Sequence, residues 1–328
     1  MPLFGNEDVK AAVADRTPEA SAEPRRSSMS AFLDSDIFHS FLRSKVTVAA
    51  ALGTATLFLL ALLAPWISPH DPFDLATLSI MDARVPPVWM EYADPRFLLG
   101  TDDQGRDLLS GIFYGMRISL IVGFCSVIAA AVLGISLGLV AGYMGGRVDA
   151  VIMRIADIQL TFPAILIALL VDGAARGIFG GIDREVFSFW ILIFSLALSF
   201  WVQYARTVRG STMVEKNKEY VQAARVIGIP SVIIMVRHIL PNVTGPVLVI
   251  ATINLALAIV TEATLSFLGV GMPPTQPSLG TLISIGNDFL YSGEWWIAIF
   301  PGLALALLVL NVNLLGDWLR DALNPKLR

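Results

Sequence analysis

The chain is predicted to be an all-α polytopic membrane protein with six transmembrane helices and both termini in the cytoplasm. Of its 328 residues, 55% are hydrophobic and only 15% charged. With a mean hydropathy of +0.69, that is the composition of membrane spans rather than of a soluble core. Six apolar stretches long enough to cross a bilayer lie at 46–67, 118–141, 148–171, 188–205, 243–267 and 295–315. The basic residues are lopsided. Seventeen of the 23 Lys and Arg fall in the N-terminal tail, the turn region 142–154, the loop 206–237 and the C-terminal tail, against 6 on the other side. The positive-inside rule turns that excess into an orientation.

Residues 1–30, rich in Ala, Glu, Ser, Pro and Arg with almost no aromatics, read as a disordered cytoplasmic tail. No apolar core follows a basic start, so the tail is not a cleavable signal peptide. Residues 31–45 are expected to form a short interfacial helix. The first span, 46–67, follows Arg43 and Lys45 and is closed by Pro65, Trp66 and Pro69. The external segment 68–117 carries Asp71, Asp74, Asp82, Glu91, Asp94, Asp102, Asp103 and Asp107, and places Asp102 or Asp103 to cap a short helix. In the second span, 118–141, Gly134 and Gly138 are followed at the same interval by Gly142, a spacing that lets another helix approach closely. A tight turn over 142–149 leads to the third span, 148–171. Arg154 and Asp157 near its start either pair at i,i+3 or snorkel as anchors, and Pro163 lies in its middle. A Gly-rich outer loop then precedes the fourth span, 188–205.

The cytoplasmic loop 206–242 holds the most ordered polar stretch, EYVQAARVIGIPSVIIMVRHILPN over 219–242. Tyr220, Ala223, Ala224 and Ile227 recur at i, i+3, i+4 and i+7, one helical face. Glu219, Gln222 and Arg225 fall elsewhere on that helix. Gly228 suits its C-terminus, Pro230 the first turn of a following helix, and Pro241 the close of that second helix. Such a stretch is either a docking element or a solvated amphipathic connector. The fifth span, 243–267, contains Asn254, Thr261 and Glu262, the last the only acidic residue deep in a late span. The external loop 268–294 opens with a Pro/Gly-rich turn over 268–280 that cannot be a membrane helix, and 281–290 either re-enters or lies at the surface. The sixth span, 295–315, is followed by a basic cytoplasmic tail, 316–328.

Several chemistries are excluded. No G-x-x-x-x-G-K-[ST] occurs, nor any Gly-Lys dipeptide, so the chain holds no ATP in a nucleotide loop of its own. His39, His70 and His238 are far apart and lack ligand spacing, which argues against a metal site. They also lie in loops or at span ends, which argues against an intramembrane serine protease. The single cysteine, Cys125, sits in an apolar run and forms no intrachain disulfide. A net charge of -4 gives no footing for nucleic acid. What remains is a pore-forming subunit powered from outside, or a carrier coupled to an ion gradient through a residue such as Glu262.

Gln222-Ala223-Ala224, Gly228 and Leu240-Pro241 resemble the EAA loop of binding-protein-dependent ABC importer permeases. Three further blocks, 98–120 (LLGTDDQGRDLLSGIFYGMRISL), 261–280 (TEATLSFLGVGMPPTQPSLG) and 313–328 (NLLGDWLRDALNPKLR), resemble the C-type permease subunit of dipeptide, oligopeptide and nickel importers. Gln222 departs from the Glu of that signature, His238 from its Ile, and Asn324 from a frequent Asp. The resemblance, over about 40–328, implies the type I ABC importer permease fold and a non-enzymatic role in a bacterial inner membrane. It implies an ATPase-coupling element of Glu219, Tyr220, Gln222, Ala223, Ala224, Arg225, Gly228, Pro230, Leu240 and Pro241. The implied partners are a homologous B-type permease, two ABC ATPase subunits that hold ATP and Mg, and an external solute-binding protein. The substrate expectation is di- or oligopeptides, with nickel complexes, opines or glycosides as alternatives. Asp102, Asp103, Arg106 and Asp107 are candidates for docking the binding protein, or else loop caps. Asn254 and Glu262 face the translocation path or an interhelical contact. An ion-coupled secondary transporter acting alone is the competing function, and an exporter-type or assembly protein fits the spans but not the loop.

Overall fold

A computed structural model describes residues 44–74, 78–179 and 184–322, and Lys45 onward forms one compact unit. The expected tail over 1–30, nearly all of the interfacial helix at 31–45, and Asn324 lie outside the described residues. Among those described, regular structure is helical: α1 (Lys45–Leu62), the short α2 (Ala64–Ile67), α3 (Leu108–Met144), α4 (Gly146–Leu160), α5 (Ala164–Phe179), α6 (Arg184–Glu215), α7 (Glu219–Val226), α8 (Ser231–Phe267), α9 (Leu279–Phe289) and α10 (Trp296–Ala322). Five of these are long and apolar enough to cross a membrane, six if the bent pair α4–α5 counts as one.

The helix of the second apolar run is much longer than the run itself. It starts at Leu108 because the Asp107 carboxylate accepts from the backbone N–H of Ser110 at 2.9 Å and from its hydroxyl at 2.5 Å, satisfying donors the first turn leaves open. The cap is therefore Asp107, not Asp102 or Asp103. At 37 residues, α3 is about 55 Å long, so its two ends define two ends of the bundle. Gly145 and Gly146, both at positive φ, turn the chain into α4. The third run is no straight span: α4 and the first turns of α5 meet at 96° across Thr161–Pro163. Pro163 has no N–H to continue the helix, and its ring collides with the carbonyl a turn earlier. Asp157 pairs with Arg206 of α6 rather than with Arg154, and Asp149 takes Arg209, whose Nη2 lies 2.6 Å from its carboxylate.

Gly134, Gly138 and Gly142 face α6. A Cβ on any of them would stand 2.4–2.7 Å from the nearest atom of Trp201, Ala205 or Thr212. Absent those carbons, the two backbones come close enough for the van der Waals contact that drives helix association in lipid. α8 runs unbroken from Ser231 through Pro241, correcting the expectation that Pro241 closes a helix. A π-helical stretch, Ile234–Ile239, precedes the proline, with Leu240 N–H donating five residues back to Met235. The widened turn makes room for a ring and a missing donor. The chain over 281–290 forms most of α9, capped by the Ser278 hydroxyl. It packs so tightly that a Cβ on Gly286 would lie 2.4 Å from the Ala298 nitrogen of α10.

Candidate functional site

The site is the short helix α7 and the groups that hold it. Its C-terminus closes by two bonds: Gly228 N–H to Arg225 O at 3.0 Å and Ile229 N–H to Ala224 O at 3.1 Å. That reciprocal pattern requires a left-handed residue, and Gly228 supplies it at φ +83°. Val221 and Ala224 are the buried face, packed toward the π-helical stretch of α8. The face expected from spacing is thus rotated: Ala223 is exposed together with Val226 (89%) and Ile227 (77%). The helix has two apolar sides, and the molecule turns one inward and leaves the other bare.

A polar bracket fixes this helix to its neighbours. The Tyr220 hydroxyl donates to the Glu215 carboxylate at the end of α6 and accepts from Asn242 Nδ2 of α8 at 3.0 Å. Burial, and then the Glu215 carboxylate, push the Tyr220 hydroxyl up to about 12, so at neutral pH it stays a donor. Lys218 Nζ lies 2.8 Å from the other Glu215 oxygen. Gln222 donates its amide to Lys216 O at 3.2 Å, a contact an acidic side chain could not donate. Lys216 Nζ in turn reaches Gly142 O at 2.6 Å. Arg225 spreads over the Tyr143 ring, 4.7 Å from its centroid, with Nε 3.3 Å from the hydroxyl. Glu219 is exposed at the first turn, where negative charge suits the helix dipole. Pro230 and Pro241 are exposed, and Leu240 is half-buried. Sequence reasoning missed Glu215, Lys216, Asn242 and above all Tyr143. Only Asn242 lay within the polar stretch; nothing in the pattern marks Tyr143.

The opposite end of the bundle holds the Asp102–Asp107 block, with most of it turned inward. Asp102, Arg106 and Asp107 are buried. Asp102 accepts the N–H groups of Gln104 and Arg106, both at 2.9 Å, and pairs with Arg106 Nε at 2.6 Å. Arg106 also donates to Pro274 O at 2.8 Å, tying the block to the Pro/Gly-rich turn. These three residues are turned inward and tie the loops together. Asp103 is half-buried; burial, and secondarily the Asp102 carboxylate, push its carboxyl above the usual range.

Asn254 and Glu262 are fully buried within the chain, and Glu262 lies in an interhelical contact. Glu262 accepts from Ser119 of α3 at 2.8 Å and from Ser266 of α8 at 2.7 Å. The same two hydroxyls accept from Leu279 N–H and Met272 N–H, so one carboxylate gathers α3, α8, α9 and the turn between the last two. Beside it a cavity of about 490 Å³ opens between the ends of α6 and α8, the turn and α9, with Ser188, Ser266, Thr281 and Ser284 in its wall.

The profile of the binding-protein-dependent transport system inner membrane component family matches residues 134–328. That of the N-terminal TM domain of oligopeptide transport permease C matches residues 34–87. The chain is 39% identical over 294 residues to the di/tripeptide transport system permease protein DppC of Pseudomonas aeruginosa, covering 89% of this chain and 92% of that one. It is 40% identical over 270 residues to the dipeptide transport system permease protein DppC of Haemophilus influenzae, covering 82% and 87%. The Escherichia coli K12 protein of that name is 40% identical over 296 residues, covering 89% and 93%. Among solved structures, a chain of the MetNI methionine ABC transporter in inward-facing conformations shares the fold, with a TM-score of 0.51, 20% identity, and coverage of 65% of this chain and 96% of that one.

Proposed function

The chain belongs to the family of binding-protein-dependent transport system inner membrane components, and from that premise we propose that it is one of two permease halves of an ATP-driven importer of di- or oligopeptides. Its companions are a homologous B-type permease, two ABC ATPase subunits that bind the ATP and Mg, and an external solute-binding protein. The chain itself holds no cofactor and catalyses no reaction. It lies in a bacterial inner membrane with both termini and α7 in the cytoplasm, the orientation favoured by the basic residues of the loops. The relatives' names support the peptide class.

The observation that carries this reading is the bare apolar side of α7. An eight-residue helix leaves Ala223, Val226 and Ile227 exposed, yet polar bonds hold it to α6 and α8. An exposed apolar face on a braced element marks a place for a partner. α7 enters a groove on an ATPase subunit, and closure of the two ATPases on ATP moves it as a rigid body. The bracket of Glu215, Tyr220 and Asn242 passes that motion to α6 and α8, which open or close the path between the permease halves. Gln222 contributes no charge to that contact; it contributes an amide.

The test is reconstitution. The chain purified with its ATPases, its permease partner and the binding protein takes up peptide in proteoliposomes only when ATP is hydrolysed. Uptake by this chain alone, driven by a proton or sodium gradient, would sink the proposal.

A further inference from the structure

α7 has a third hold on the bundle, and it falls on α3. Arg225 and Tyr143 are 82 residues apart, so only the folded arrangement of α3 against α6 brings them together. The guanidinium carbon lies over the ring, 4.7 Å from its centroid, and Nε reaches the hydroxyl at 3.3 Å. One residue earlier on α3, Gly142 O accepts from Lys216 Nζ at 2.6 Å. The C-terminal end of α3 is therefore gripped at two successive residues by the segment that carries α7.

α3 is suited to carry motion. Its last three turns lie directly against α6, where a Cβ on Gly138 would stand 2.6 Å from Ala205 O. At its other end, about 55 Å away, Asp107 caps it and the adjacent Arg106 holds Pro274 O of the turn before α9. A push at Tyr143 thus has a stiff route to the turn and the cavity at the far end.

We propose that Tyr143 is a positioning residue through which α7 drives α3, so that ATPase closure reaches three helices rather than α6 and α8 alone. The proposal rests on the docking role given to α7 above. Tyr143 meets α7 through Arg225 and does not line the cavity. Its effect is on how much solute moves for each nucleotide hydrolysed, and not on whether the ATPase binds.

The experiment uses the full reconstituted complex and measures peptide taken up per ATP hydrolysed for wild type, Tyr143→Phe, Tyr143→Leu, Arg225→Gln and the double variant Tyr143→Leu/Arg225→Gln. Phe keeps the ring face that attracts the cation, and keeps the ratio near wild type. Leu removes the ring and lowers the ratio by about threefold or more, with ATP hydrolysis and ATPase retention preserved. The double variant is no worse than the poorer single variant, because each change breaks the same contact. Should Tyr143→Leu fail to assemble, Arg225→Gln leaves α3 untouched and carries the same comparison with Tyr143→Phe. An unchanged ratio in both Tyr143→Leu and Arg225→Gln, or losses that multiply in the double variant, overturns the proposal. A wild-type complex that moves peptide without hydrolysing ATP overturns the importer reading instead, so the two failures are distinct.

Discussion

Substitution at Gly228 separates what the fold requires from what a partner requires. The residue has φ +83°, and a Cβ built there meets no atom within 4 Å. With no contact to distinguish them, Ala and Trp therefore bear the same backbone cost, about 1–2 kcal/mol for the left-handed region, or a shift of roughly 5–30-fold in the population of the closed turn. Asn tolerates that region better than most residues. Within this chain alone, Gly228→Ala and Gly228→Trp should be nearly equivalent, and Gly228→Asn milder than either. With an ATPase seated on the exposed face beside Ile227, Trp additionally obstructs the contact. The assay is retention of the ATPase on the purified permease, together with ATP-driven uptake, across the series Asn, Ala and Trp. The expected order of retention is wild type, Asn, Ala, Trp, with a clear drop at the last step. If Trp retains the ATPase as firmly as Ala, nothing covers this turn, and the docking of α7 is wrong.

Other substitutions test the scaffold. Gly138→Leu forces a side chain where Ala205 O lies 2.6 Å from the Cβ position. It should lower thermal stability in detergent by about 1–3 kcal/mol, the cost of overpacking, while Gly210→Leu, whose Cβ meets nothing, should leave the midpoint in place. Glu262→Leu strands the hydroxyls of Ser119 and Ser266 and should cost about 1–3 kcal/mol; Glu262→Gln keeps partners for both and should melt close to wild type. Asp103 carries a raised carboxyl pKa, so the folded state holds its proton more tightly than the unfolded chain does. Its contribution is fully present below the unfolded carboxylate value and is lost as pH rises through the folded one. Asp103→Asn should therefore melt higher than wild type at neutral pH, with a smaller gain on acidification. A wild-type melting curve whose pH slope survives in the Asn variant would contradict this.

How much of this was legible in the chain depends on whether a feature is local. The apolar runs marked the helices because lipid demands internally bonded, apolar segments. The glycine stripe and the left-handed Gly228 were readable because small size and positive φ are properties of single positions. Helix length was not. Asp102 and Asp103 were the expected caps, but both precede the turn that Gly105 makes at positive φ, and the helix starts only after Asp107. The side of α7 turned inward was equally undetermined, since Val221–Ala224 and Ala223–Ile227 both satisfy a helical period. Pro241 looked like a stop because the widened turn that absorbs it has no sequence signature. Asp102 and Arg106 looked like surface charges, and the fold pairs them inside. The Tyr143–Arg225 stack joins residues on helices distant in sequence, which periodicity within one segment cannot register.

During synthesis α3 enters the bilayer before α6 exists. About 70 further residues must be translated before its companion is complete, an interval of roughly 4–14 s at ordinary ribosomal speed. Through that interval the stripe of Gly134, Gly138 and Gly142 has no α6 to pack against. Until then nothing covers the backbone that α6 will occupy, and the seam between the two helices is among the last parts of this half of the bundle to close.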